Sequence, residues 1–110
     1  MRDGDHGAAE LLHMMGHLYL KSGETKRGLV LLLIAVHLAP EHAGILHTLA
    51  RAFIAAGDTS RALDAIEHLE RLQGASSGLV LLQSRALWAA GQKDEARRRF
   101  RDYLQQRGNA

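Results

Sequence analysis

The chain has 110 residues, 14 lysines and arginines against 12 acidic residues, seven histidines, no cysteine and a formal net charge of +2. This length supports one domain, the missing cysteines exclude disulfides and a thiol nucleophile, and the mild basic excess is too weak to imply nucleic-acid binding by bulk charge. Apolar residues make up 46% and aromatics 5%, with eleven glycines and one proline, which suits an Ala- and Leu-rich helical array and argues against a sheet protein.

The first seven residues carry Arg2, Asp3, Asp5 and His6 with no apolar run behind them, so no secretory signal is read and a cytosolic location is expected. From Ala9 onward the chain repeats at a fixed distance of 34 residues. Gly23, Gly57 and Gly91 stand in register, with Tyr19, Phe53 and Leu87 four residues before them. Small residues recur at Gly16, Ala50 and Ser84 and again at Gly28, Ala62 and Ala96, and helix breakers recur at Pro40, Gly74 and Gly108. A 34-residue period with a paired-helix pattern is the signature of tetratricopeptide (TPR) arrays. The predicted fold is all-α: three repeats of antiparallel helix pairs, about six helices, stacked in a right-handed superhelix within a single domain, 1–110.

Each repeated feature has a physical cause. A glycine reaches the left-handed conformation that ends one helix and lets the chain reverse. The small positions mark where two antiparallel helices approach closely, and the breakers stop the second helix of each pair.

Repeat one is expected over 9–42, with helices near 9–22 and 26–39. Its second helix is apolar on every side from Leu29 to Val36, a run too short for the roughly 20 residues that cross a membrane. A surface helix normally keeps a polar face, so something is expected to cover this one: the third helix together with the N-terminal residues folding back, or a partner. Repeat two, 43–76, is cleanly amphipathic, with Asp58 as N-cap before Thr59. A flexible link, Gly74-Ala75-Ser76-Ser77-Gly78, leads into repeat three, 77–110, where Ser76 or Ser77 caps the next helix. The last helix closes the array with charge, and acid-to-base pairs four residues apart, Asp94 with Arg98 and Glu95 with Arg99, read as a solvated face. The arginines circle this helix without an aromatic platform, so no nucleic-acid partner is expected.

In stacked helix pairs the first helices line the concave surface. With Leu12, Met15 and Tyr19 assigned to the core, the groove of repeat one receives His13, Met14, His17 and Leu20. Repeat two adds His47, Thr48, Arg51 and Ile54, and repeat three adds Leu81, Leu82, Arg85 and Trp88. This lining is apolar with basic and imidazole punctuation, and Trp and Arg are the types that most often dominate protein contacts. His13, His17 and His47 form the ligand set of an open zinc site only if three imidazoles converge. No acidic residue is expected in the groove to serve as base, so polar lining is the preferred reading and no metal or cofactor is expected. Without a phosphate-cradling loop, an HExxH motif or a nucleophile beside a base, no enzyme is expected.

The stretch Leu11–Pro40 followed by Glu41-His42 resembles the small TPR chaperones of bacterial type III secretion, the YscY or SctY type. The likeness rests on Gly16 and Leu18, on Gly23 with Arg27 after it, on the run Leu38-Ala39-Pro40-Glu41-His42, and on the close after Tyr103-Leu104. The resemblance implies a cytosolic chaperone that shields an apolar segment of one small, early secreted partner of the YscX or SctX type. It also implies engagement of the inner-membrane export gate. Chaperoning of another type III substrate, a needle or translocator subunit, and a generic peptide-binding adaptor are the alternatives.

Overall fold

A computed structural model describes residues 3–108. Met1 and Arg2, where the leader reading begins, and Asn109 and Ala110, where repeat three was expected to end, lie outside the described residues. Six helices follow in order: α1 (Asp3–Lys21), α2 (Thr25–Leu38), α3 (Ala43–Ala55), α4 (Thr59–Gln73), α5 (Ser77–Ala89) and α6 (Lys93–Gly108). No strand occurs among the described residues, and no helix there is long and apolar enough to cross a membrane.

The turns inside the three pairs are closed by one device. Gly57 lies at φ +80°, its amide donates to the Ile54 carbonyl at 3.1 Å, and the Asp58 amide donates to the Phe53 carbonyl at 2.9 Å. These are the two bonds of a Schellman C-cap, and they explain why the residue four before the glycine is part of the repeat. Gly23 and Gly91 repeat the geometry on Tyr19 and Leu87. α4 and α5 start on side-chain caps: Asp58 accepts from the Arg61 amide at 3.2 Å, and Ser76 accepts from the Leu79 amide at 3.2 Å.

The crossing of α1 and α2 is the tightest close approach. A Cβ at Gly28 would lie 2.8 Å from the Gly16 carbonyl oxygen, and one at Gly16 would lie 2.8 Å from Leu32 Cγ. Repeats two and three hold Ala50, Ala62, Ser84 and Ala96 at these positions, all buried.

One core runs the length of the array, from Leu32 through Leu46, Leu49 and Phe53 to Ile66, Leu69, Leu79 and Leu82. A smaller cluster of Ala9, Ala35, Ala39 and Ile45 seals the end of the first pair. Each helix packs on the next in sequence, and α3 also touches both α1 and α5, whereas α2, α4 and α6 do not meet one another. The first helices therefore form the inner row of a curved stack measuring 42 × 27 × 20 Å.

Three expectations for repeat one need correction. α1 starts at Asp3, six residues before the expected Ala9, so residues 3–8 extend this helix and do not fold back over α2. The apolar side of α2 consequently stays open, with Val30 57% and Ile34 45% exposed. Met15 and Tyr19, assigned to the core, instead line a pocket of about 420 Å³ with Val30 and Leu31 at the free edge of the first pair. The two face outward because the surface that buries their counterparts Leu49 and Phe53 is the preceding helix pair, and no such pair is present among the described residues.

Candidate functional site

The inner face is divided into two grooves. The first lies between α1 and α3, has a volume of about 430 Å³, and is lined by Glu10, His13, Met14, His17, His47 and Thr48. Its polar groups are cross-linked. The Thr48 hydroxyl donates to the Gly44 carbonyl at 3.1 Å, which leaves its oxygen to accept from His13 Nε2 at 2.8 Å. His42 caps α3, with Nδ1 accepting from the Ile45 amide at 3.1 Å, so the ring proton sits on Nε2, which donates to Glu10 Oε1 at 2.6 Å. An amide N–H only donates, and this settles the tautomer.

Burial, reinforced by His42 and His17 against an opposing Glu10, holds His13 below the ordinary histidine value of 6.5. His47 is lowered as well, first by burial and then by the guanidinium groups of Arg51 and Arg85. His13, His17 and His47 thus share one groove, yet no group of three metal-ligating side chains converges among the described residues. The groove also holds an acidic residue, Glu10, contrary to expectation; it stands one turn before His13 on α1 and reaches His42.

The second groove is larger, about 790 Å³, and lies along α5 and α6 with Ile54 of α3 at its inner end. Leu81, Trp88, Ala96 and Phe100 form its apolar floor, and Arg85, Arg97 and Arg101 stand at its rim. Trp88 is 50% exposed, so it does not pack beneath the terminal helix. Lys93 Nζ and the Arg97 guanidinium lie 5.3 and 5.7 Å from its ring centroid, in cation–π range.

Of the residues predicted for the groove, His13, Met14, His17 and His47 meet in the first cavity, and Ile54, Leu81, Arg85 and Trp88 in the second. Arg51 is exposed and close enough to His47 to bias its charge. Two assignments are corrected. Leu20 packs against the main core and lines neither groove, and Leu82 is a buried core residue. The residues missed were Glu10, His42, Arg97, Phe100 and Arg101. Phe100 was findable, since it stands 34 residues after Ile66 and so occupies a core position in the repeat register. The ion pairs of α6 fall at three-residue spacing, not four: Asp94 with Arg97, Glu95 with Arg98, and Arg99 with Asp102.

These elements define a TPR-like, all-helical repeat array. Among solved structures the chain is similar to the crystal structure of MamA protein, at a TM-score of 0.77 and 20% sequence identity over 93% of this chain. The match spans 56% of the MamA chain, and at this identity it speaks to the fold alone. No protein-family model and no curated protein sequence matches the chain.

Proposed function

We propose that the chain is a partner-binding array with no chemistry of its own, and that its inner face holds an apolar segment of another protein. The observation that carries this reading is the 790 Å³ groove floored by Ile54, Leu81 and Phe100 beside a half-exposed Trp88. Concave, largely apolar surfaces with a few fixed polar groups accept helical or extended peptides, and a Trp beside Arg is the usual anchor of such contacts. The mechanism is mass action: a partner that binds only the folded array stabilises it by about 2.7 kcal/mol at a hundredfold excess over Kd. The partner's own apolar segment is meanwhile kept from aggregating.

The more specific reading is a cytosolic chaperone of bacterial type III secretion that holds a small YscX- or SctX-type protein and helps present it to the export gate. It rests on the resemblance of Leu11–His42 to the YscY type. The open side of α2 and the uncovered α5–α6 groove agree with a protein that is completed by its partner. Co-purification of the tagged chain from its own cells, with Trp88→Ala alongside, tests both levels. One small co-purifying chain, weakened at least tenfold in the variant, is expected. Equal recovery with the variant would remove the groove as the binding site, and a stoichiometric partner unrelated to secretion would remove the chaperone assignment.

A further inference from the structure

The α5–α6 groove is the third copy of a seat that is filled twice elsewhere in the molecule. Leu32 of α2 is 0% exposed and Ile66 of α4 is 1% exposed, whereas Phe100, at the same position of α6, is 44% exposed. The helices that make the difference are α3, which packs on α1 and α2, and α5, which packs on α3 and α4. The same comparison holds on the first helix of each pair. Leu20 and Ile54 pack against the core, and Trp88 stands open. The seat between α5 and α6 is therefore shaped for one more helix, running antiparallel to α6 as α3 runs to α2 and α5 to α4.

Charge says what kind of helix fits. The position of Arg97 is held by Leu29 and Leu63 in the earlier repeats, both packed against the core beneath the helix that covers them. Arg101 replaces Leu33 and Glu67. The seat thus keeps its apolar floor, and Arg97 and Arg101 join Arg85, the counterpart of Arg51, in a cationic rim that no carboxylate lines. Neither Arg85 nor Arg101 has an ion-pair partner among the described residues. A helix with no carboxylates seated here would leave those charges without partners at its border.

We propose that the α5–α6 seat takes an amphipathic helix of a partner protein, apolar on the face toward Phe100 and Trp88 and lined with Asp or Glu where it meets Arg85, Arg97 and Arg101. The inference rests on the partner-binding reading and names the segment and chemistry it requires. The carboxylates form charge-assisted hydrogen bonds with the guanidinium groups, which set orientation and exclude basic helices.

The sole tryptophan lies in the seat, so its emission reports occupancy directly. The probes are two synthetic helical peptides of about four turns with one Leu/Ile face, one flanked by Glu and the other by Lys, added to the full chain. The Glu peptide is expected to shift Trp88 emission to the blue and to bind at least tenfold more tightly than the Lys peptide in low salt. Arg85→Glu/Arg101→Glu, a change at two unpaired surface positions, is expected to reverse that order while the far-ultraviolet circular dichroism stays unchanged. Equal binding of both peptides, or binding of neither, overturns the proposal. So does a blue shift that grows with protein concentration alone, which would identify a second copy as the occupant. A partner recovered from cells equally by the wild-type chain and the charge-reversed variant would overturn the seat and leave the partner-binding reading standing at the α1–α3 groove. A partner lost with Arg51→Glu alone would place binding along α1 and α3 and overturn the seat.

Discussion

His42 Nε2 donates to Glu10 Oε1 at 2.6 Å while its Nδ1 accepts the Ile45 amide at 3.1 Å, so one neutral imidazole both starts α3 and ties it to α1. The two bonds need opposite roles from the two ring nitrogens, which only one neutral tautomer supplies. Replacing His42 by alanine is expected to cost about 1 kcal/mol from the cap alone. Asparagine keeps a capping oxygen and loses the reach to Glu10, so its cost falls between wild type and alanine. Thermal unfolding of the two variants checks the order, and an Asn variant as unstable as Ala would show that the Glu10 link carries the effect.

Acid is expected to destabilise the array through its inner face. Burial lowers both His13 and His47 from 6.5, so as pH falls the unfolded chain takes up protons before the folded one does. Their contribution is fully present above 6.5 and is lost as pH drops through the folded-state values. Urea unfolding followed from about pH 7.5 to about pH 5 should show stability falling toward acid, with a shallower fall in a His13→Asn/His47→Gln variant.

The same glycine-to-alanine change should have opposite signs at two places. At Gly28 the new methyl would sit 2.8 Å from the Gly16 carbonyl oxygen and 3.1 Å from the Leu20 amide nitrogen, both backbone atoms that cannot step aside. A loss of about 1–3 kcal/mol is expected from overpacking. At Gly7, in α1, nothing lies within 4 Å, and alanine is expected to gain up to about 1 kcal/mol from helix propensity. Urea midpoints of the two variants decide it, and a neutral Gly28→Ala would mean that α1 and α2 can separate freely.

Ile66 and Phe100 occupy one repeat position with different surroundings. Truncating Ile66, at 1% exposure, should cost about 2–5 kcal/mol, the range for a fully buried aliphatic. Truncating Phe100, at 44%, should cost less than half as much in the free chain. Calorimetry on the two alanine variants tests this, and equal costs would mean that the α5–α6 seat is covered in solution.

The placement of Phe100 shows how far a periodic sequence can be read. The spacing of Gly23, Gly57 and Gly91 requires three reversals, since a left-handed turn at a helix end favours the residue without a Cβ, and the structure puts all three at positive φ. The caps at Asp58 and Ser76 and the small residues at the helix crossings were legible for the same reason: each depends on local backbone geometry or on a pair of adjacent helices. The inner-face positions of His13, His47, Arg85 and Trp88 followed from helical register once the pairs were placed.

What lay outside the sequence was everything that depends on whether a neighbour is present. Leu49 and Met15 share a register position, and one is core while the other lines an open pocket, because a helix pair precedes the first and not the second among the described residues. Glu10 and His42 are 32 residues apart and meet only because α1 packs across the start of α3. The sequence by itself determined the repeat, its turns and its close contacts, all of which are local or nearest-neighbour properties. Only the tertiary structure decided which faces of the stack are covered, since burial belongs to the pair of surfaces and not to either one alone.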